Sequence, residues 1–110
     1  MKICIVEDEL IIASELRLIL GSMGHTVVGV TDNGKEAIRI ARESHPDTIF
    51  MDIQIKGNMD GRETARLILQ KESIPIIYLT GNNHLLNKSD FSRKGFAGVL
   101  GKPFSEWELR

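Results

Sequence analysis

Apolar residues fall into two alternating kinds of segment along this chain. Short, nearly continuous apolar runs, such as ICIV at 3–6 and TIFM at 48–51, alternate with stretches where apolar residues recur every three or four positions. The runs predict strands over 2–6, 26–31, 47–51, 76–79 and 97–100. Ile12, Leu16, Ile19, Leu20 and Met23 share one helical face and predict a first helix that ends near Gly24. Ala37, Ile38 and Ala41 mark a second helix, and Ala65, Ile68 and Leu69 a third. Asn33 with Glu36, and Asp60 with Glu63, have the spacing of capping boxes and start helices two and three, so Asp60 reads as a cap rather than a metal ligand. Leu85, Leu86 and Phe91 give a fourth helix, over 83–93, a weak stripe. A fifth begins at Ser105, capped against Glu108, and is truncated at Arg110.

Strands this rich in Val, Ile and Leu, alternating with helices, belong in a parallel sheet buried on both faces. The expected fold is α/β: a doubly wound five-stranded parallel sheet, flavodoxin-like, with strand order 2-1-3-4-5. Ligands of such sheets bind beyond the carboxyl ends of the strands. Residues 1–110 read as one domain whose last helix is incomplete, since the chain has 110 residues, with no linker, repeat or low-complexity stretch.

Charge excludes some partners. Fourteen Lys and Arg stand against 15 Asp and Glu, a formal charge of −1, so no basic footprint for nucleic acid or an anionic membrane is present. No apolar run reaches the ~18 residues of a membrane span, and the first residues lack a signal-like pattern. The one cysteine, Cys4, lies inside ICIV as a buried small hydrophobe. The expected location is cytoplasmic. His25, His45 and His84 have no metal-ligand spacing and read as surface or structural residues.

The polar residues at strand ends carry the chemistry. Glu7 and Asp8 follow strand one, Asp52 follows strand three, Thr80 follows strand four and Lys102 lies just past strand five. They lie two βα units apart, then one, then one, and so converge on one rim. Like charges about 4 Å apart repel by roughly 4 kcal/mol at an effective dielectric near 20. Three neighbouring acids therefore call for a cation. With only oxygen donors at hand it should be hard, Mg²⁺ or Mn²⁺. Such a cation with Lys102 suits an Asp that attacks phosphorus and becomes an aspartyl phosphate. The Thr80 hydroxyl and the Lys102 ammonium would each bind a phosphoryl oxygen, and Gly81 leaves room beside them.

The segments IVEDE, FMDIQI, YLTG and GKPF, in that order and on those elements, resemble the receiver domain of two-component response regulators over essentially the whole chain. The resemblance implies that Asp52 is the phosphoacceptor, charged by a histidine kinase or phosphotransfer protein. It implies that Asp8, Asp52 and the main-chain carbonyl of Gln54 ligate Mg²⁺, with Glu7 acting through a water. Thr80 becomes the switch hydroxyl and Lys102 the phosphate-binding lysine. The chain would promote its own phosphorylation and dephosphorylation only, and would not be an enzyme for another substrate. Gln54 and Asn82, two beyond the acceptor and two beyond the switch threonine, would set the lifetime of the phosphoryl group.

Three departures from the family stand out. Lys56 occupies the place of a usual proline in a loop one residue longer, Val99 stands where Tyr or Phe is common, and the fifth helix is short. Without the aromatic ring, signalling is expected to pass through the TGNNHLL loop and helix four. The output surface would comprise helix four, strand five and the start of helix five, including His84, Leu85, Lys88, Lys94, Phe96 and Val99, and would serve self-association or an effector. Two alternatives compete. A haloacid-dehalogenase-type phosphohydrolase would carry a second Asp two beyond Asp52, where Gln54 stands. A phosphate-independent interaction module would lack one of Asp52, Thr80 or Lys102.

Overall fold

In the computed structural model, which describes residues 1–80 and 96–101, strands and helices alternate. They run β1 (Lys2–Val6), α1 (Leu10–Ser22), β2 (Thr26–Thr31), α2 (Gly34–Ser44), β3 (Thr48–Asp52), α3 (Gly61–Leu69), β4 (Ile76–Thr80) and β5 (Phe96–Gly101). All pairings are parallel and the sheet order is β2-β1-β3-β4-β5. This is the doubly wound order that the alternation of segments predicts. The expected helices four and five, Gly81, Asn82, His84 and Lys102 lie outside the described residues.

Continuous apolar strands are explained by a sheet covered twice. Ile3 and Ile5 of β1, Phe50 of β3 and Leu79 of β4 point to one face and pack with Ala13, Leu16 and Leu20 of α1. The alternate residues Cys4, Val6, Ile49, Met51, Ile76 and Tyr78 point to the other face, against Ala37, Ile40 and Ala41 of α2 and Ala65 and Ile68 of α3. Burial of each large aliphatic side chain in these layers stabilises the fold by about 1.5–3 kcal/mol.

Both expected caps are present. Asn33 accepts the Glu36 amide at 2.9 Å to start α2, and Asp60 accepts the Glu63 amide at 2.9 Å to start α3. Each satisfies a donor that the first helical turn leaves without an intrahelical partner. The α2 C-terminus is closed by His45 in the left-handed region, at φ 45°, with its amide donating to Ala41. His45 also faces Glu72 at 3.6 Å, and His25 lies 3.2 Å from the chain's amino terminus. Helices α2 and α3 approach closely at their starts, because a Cβ on Gly34 would overlap the Thr64 hydroxyl.

Boundaries differ from the sequence expectation by one residue, for a physical reason. β3 starts at Thr48 and keeps Asp52, which stands in register with Leu79, and the ladder continues as the Ile53 amide donates to the Leu79 carbonyl at 3.3 Å. β4 likewise runs through Thr80, paired with Gly101. In α1 the stripe is carried by Leu16 and Leu20, with Ala13 added and Ile12 and Ile19 packed against the same cluster, while Met23 is the C-cap.

Candidate functional site

The carboxyl ends of β1 and β3, adjacent in the sheet, bring three acids together. One carboxylate oxygen from each of Glu7, Asp8 and Asp52 lies within 4.8 Å of the others. Asp52 is 5% exposed and Glu7 1%, whereas Asp8 is half-buried. A buried carboxylate is costly without compensation, and crowding raises that cost further. The two buried acids are tied to the main chain around them. The Gln54 amide donates to Asp52 Oδ1 at 3.2 Å, and the Glu9 amide donates to Glu7 Oε2 at 3.3 Å. The Glu7 amide donates to the Thr31 carbonyl at 2.9 Å, fixing the end of β1 to that of β2.

Asp8 stands just before α1 without capping it. The N-cap is Glu9, whose side chain makes no capping bond. Asp8 is thus placed beside Asp52 by the turn that leaves β1. The donor set fits a hard divalent cation, since all three groups are anionic oxygens and only Asp8 has substantial access to solvent.

Asp52 is positioned from below by α3. The Gly61 amide donates to the Ile53 carbonyl at 2.6 Å, and a Cβ on Gly61 would run into the main chain of Asp52 and Ile53. The first turn of α3 is therefore pressed against the strand end that presents the carboxylate. The Asp60–Glu63 spacing marks the start of α3 but not this contact, for which a glycine directly after the cap is the available signal.

Between β3 and α3 the longer loop turns outward and meets the loop that follows β2. Its Gly57 has φ 101°, a conformation suited to glycine. Lys56 pairs with Asn33 as an isolated parallel bridge and donates its amide to the Asp32 carbonyl at 3.1 Å. The Lys56 ammonium lies 3.4 Å from Asp32 Oδ2. An open groove of about 500 Å³ lies between these loops, lined in part by Asp32, Lys35, Lys56, Asn58 and Met59.

Of the expected site residues, Glu7, Asp8 and Asp52 are brought together, and Gln54 follows directly in the loop. Thr80 ends β4, the neighbour of β3. Lys102 lies outside the described residues. No described helix is long and apolar enough to cross a membrane.

The family model for the response regulator receiver domain matches residues 3–110. The transcriptional regulatory protein YdfI of Bacillus subtilis is 36% identical over 99 residues, 86% of this chain and 46% of YdfI. The phyllosphere-induced regulator PhyR of Methylorubrum extorquens is 32% identical over 104 residues, 94% of this chain and 38% of PhyR. The chain spans less than half the length of either relative. Among solved structures, the signal receiver domain of a modulated diguanylate cyclase from Desulfovibrio desulfuricans G20 is similar, with a TM-score of 0.85 and 37% identity, covering 98% of this chain and 86% of that one. The receiver domain of the sensor histidine kinase PA1611 from Pseudomonas aeruginosa, which has magnesium coordinated in its active-site cleft, gives a TM-score of 0.82 at 28% identity, covering 98% and 89%.

Proposed function

Since the chain belongs to the response regulator receiver domain family, we propose that it takes a phosphoryl group from a histidine kinase or phosphotransfer protein onto Asp52 and switches an output surface. The observation that carries this reading is the meeting of the Glu7, Asp8 and Asp52 carboxylates within 4.8 Å at the ends of two neighbouring strands.

In the transfer, an Asp52 carboxylate oxygen attacks phosphorus and the bond from phosphorus to the donor's imidazole nitrogen breaks, the nitrogen keeping the electron pair. The Gln54 amide at 3.2 Å holds Oδ1 and so orients the nucleophile. Asp8, Asp52 and the Gln54 main-chain carbonyl would hold Mg²⁺ or Mn²⁺, with Glu7 acting through a water. The ion, when bound, offsets the carboxylate charge and the charge of the incoming phosphoryl oxygens. Thr80 and Lys102 supply a hydroxyl and an ammonium to those oxygens. Residues 1–110 act as one domain in the cytoplasm, and the product is the phosphorylated chain itself, with no further substrate.

Acetyl phosphate with Mg²⁺ tests this reading. The wild-type chain should gain one hydroxylamine-labile phosphoryl group, and the Asp52→Asn chain none. Equal labelling of both proteins would overturn it.

A further inference from the structure

The loop between β3 and α3 carries Gln54 to the acidic cluster, and two residues later it is tied to a different part of the fold. Lys56 contacts Asp32 twice, through its amide to the Asp32 carbonyl at 3.1 Å and through its ammonium to Oδ2 at 3.4 Å. The Asp32 carboxylate is itself held in place. The Asn33 side-chain amide donates to Oδ1 at 3.0 Å, and this bond, with Lys56 adding to it against some desolvation, keeps the carboxyl below its ordinary range. Asn33 is in turn fixed as the N-cap of α2.

These bonds close a ring around the site. The Glu7 amide is bonded to Thr31 at the end of β2, Asp32 is bonded to Lys56, and the Gln54 amide is bonded to Asp52. Proline, usual at this place in the family, has no amide hydrogen and could make neither contact. Lys56 thus changes the way the loop is held as well as one side chain.

We propose that Lys56 and Asp32 form a latch that positions the β3–α3 loop, and with it the Gln54 main chain, for metal binding at the acidic cluster. The inference rests on the proposed metal site and concerns a feature of this chain's own loop. Lys56 and Asp32 are positioning residues that act through Gln54. A latch of this kind lowers the cost of ordering the loop when a cation binds, so its loss weakens binding without removing any ligand. The sign separates this from simple charge effects. Taking a cation away from an acidic site would by long-range electrostatics tighten Mg²⁺ binding, whereas loss of the latch weakens it.

Calorimetric titration of Mg²⁺ into the wild type, Lys56→Met and Lys56→Pro decides. Lys56→Met keeps the stem and the amide and loses the ammonium, so affinity should fall about two- to fivefold, the range of an exposed ion pair. Lys56→Pro also loses the amide bond and should fall further, about tenfold in all. The gap between wild type and Lys56→Met should close at high salt, and amide exchange of the metal-free Lys56→Met protein should quicken in residues 54–57 while β1 and β3 are unaffected. Equal or tighter Mg²⁺ binding by Lys56→Met overturns the latch, and this variant decides even if Lys56→Pro does not fold. A wild-type protein that fails to bind Mg²⁺ overturns the metal-site reading and the latch with it, whereas tight wild-type binding with an unchanged Lys56→Met overturns the latch alone.

Discussion

Gly61 lies so close beneath Asp52 that the first carbon of any side chain at 61 would overlap the Asp52 carbonyl oxygen. The acid's position therefore depends on a residue with no functional group at all. Because the obstructing atoms belong to the main chain, they cannot swing aside as a flexible side chain would. Gly61→Ala should destabilise the protein by about 1–3 kcal/mol, as overpacking does. It should also displace the carboxylate from its partners and slow labelling by acetyl phosphate. Urea unfolding and the labelling rate measure the two effects, and an unchanged midpoint would show that α3 can retreat freely.

Asp60 and Asp8 are both acids near the rim, and they are placed differently: Asp60 caps α3, whereas Asp8 lies in the acidic cluster and caps no helix. Asp60 accepts the Glu63 amide as the cap of α3. Asp60→Ala should cost about 1 kcal/mol of stability, the usual value of such a cap. Mg²⁺ affinity should stay within about twofold of wild type, since the Coulomb effect of one exposed charge is small. A large loss of Mg²⁺ binding at unchanged stability would place Asp60 among the ligands.

Asp8 should show the reverse. It makes no cap for α1, and it adds charge to a crowded cluster. Asp8→Ala should abolish Mg²⁺ binding at millimolar concentrations and stabilise the metal-free protein by up to about 1 kcal/mol, an effect that added salt reduces. Thermal unfolding with and without Mg²⁺ reads both, and a destabilised metal-free variant would mean that Asp8 has a structural role.

How much of this was visible in the sequence can be judged from particular residues. β1 and β2 have the expected bounds, because a buried parallel strand writes itself as an apolar run that turn residues interrupt. Asn33 and Asp60 were legible as caps, since the donor and the acceptor of each bond are three residues apart. The strand-end acids were legible because βα units repeat at regular intervals. The inward face of α1 was legible, since Leu16 and Leu20 are buried and Ile12 and Ile19 pack against the same cluster. What the spacing did not show is that Leu10, Ile11 and Leu18, also apolar, stand 79%, 83% and 76% exposed. The Lys56 latch and the Gly61 contact were not legible, because each depends on two loops or elements meeting at a distance that no local spacing encodes.

Cys4 gives a test of the core through pH. It is fully buried in β1, and burial pushes its thiol up to about 12 from an ordinary value of 9.0. A raised folded-state value means that the contribution to stability is fully present below pH 9.0 and is lost as the pH rises through that value toward about 12. At about pH 8 the thiol should react with a disulfide reagent only as fast as the protein opens, and promptly once urea unfolds the chain. Fast reaction of the native protein would contradict the packing of β1 between the helical layers.

The most direct test of the central claim is to find the modified residue itself. After labelling with acetyl phosphate and Mg²⁺, borohydride converts an aspartyl phosphate to homoserine, which peptide mass spectrometry locates in the sequence. Homoserine at Asp52, and at no other acid of the cluster, is the expected result. Homoserine at Asp8, or a labelled chain in which Asp52 remains aspartate, would contradict the account.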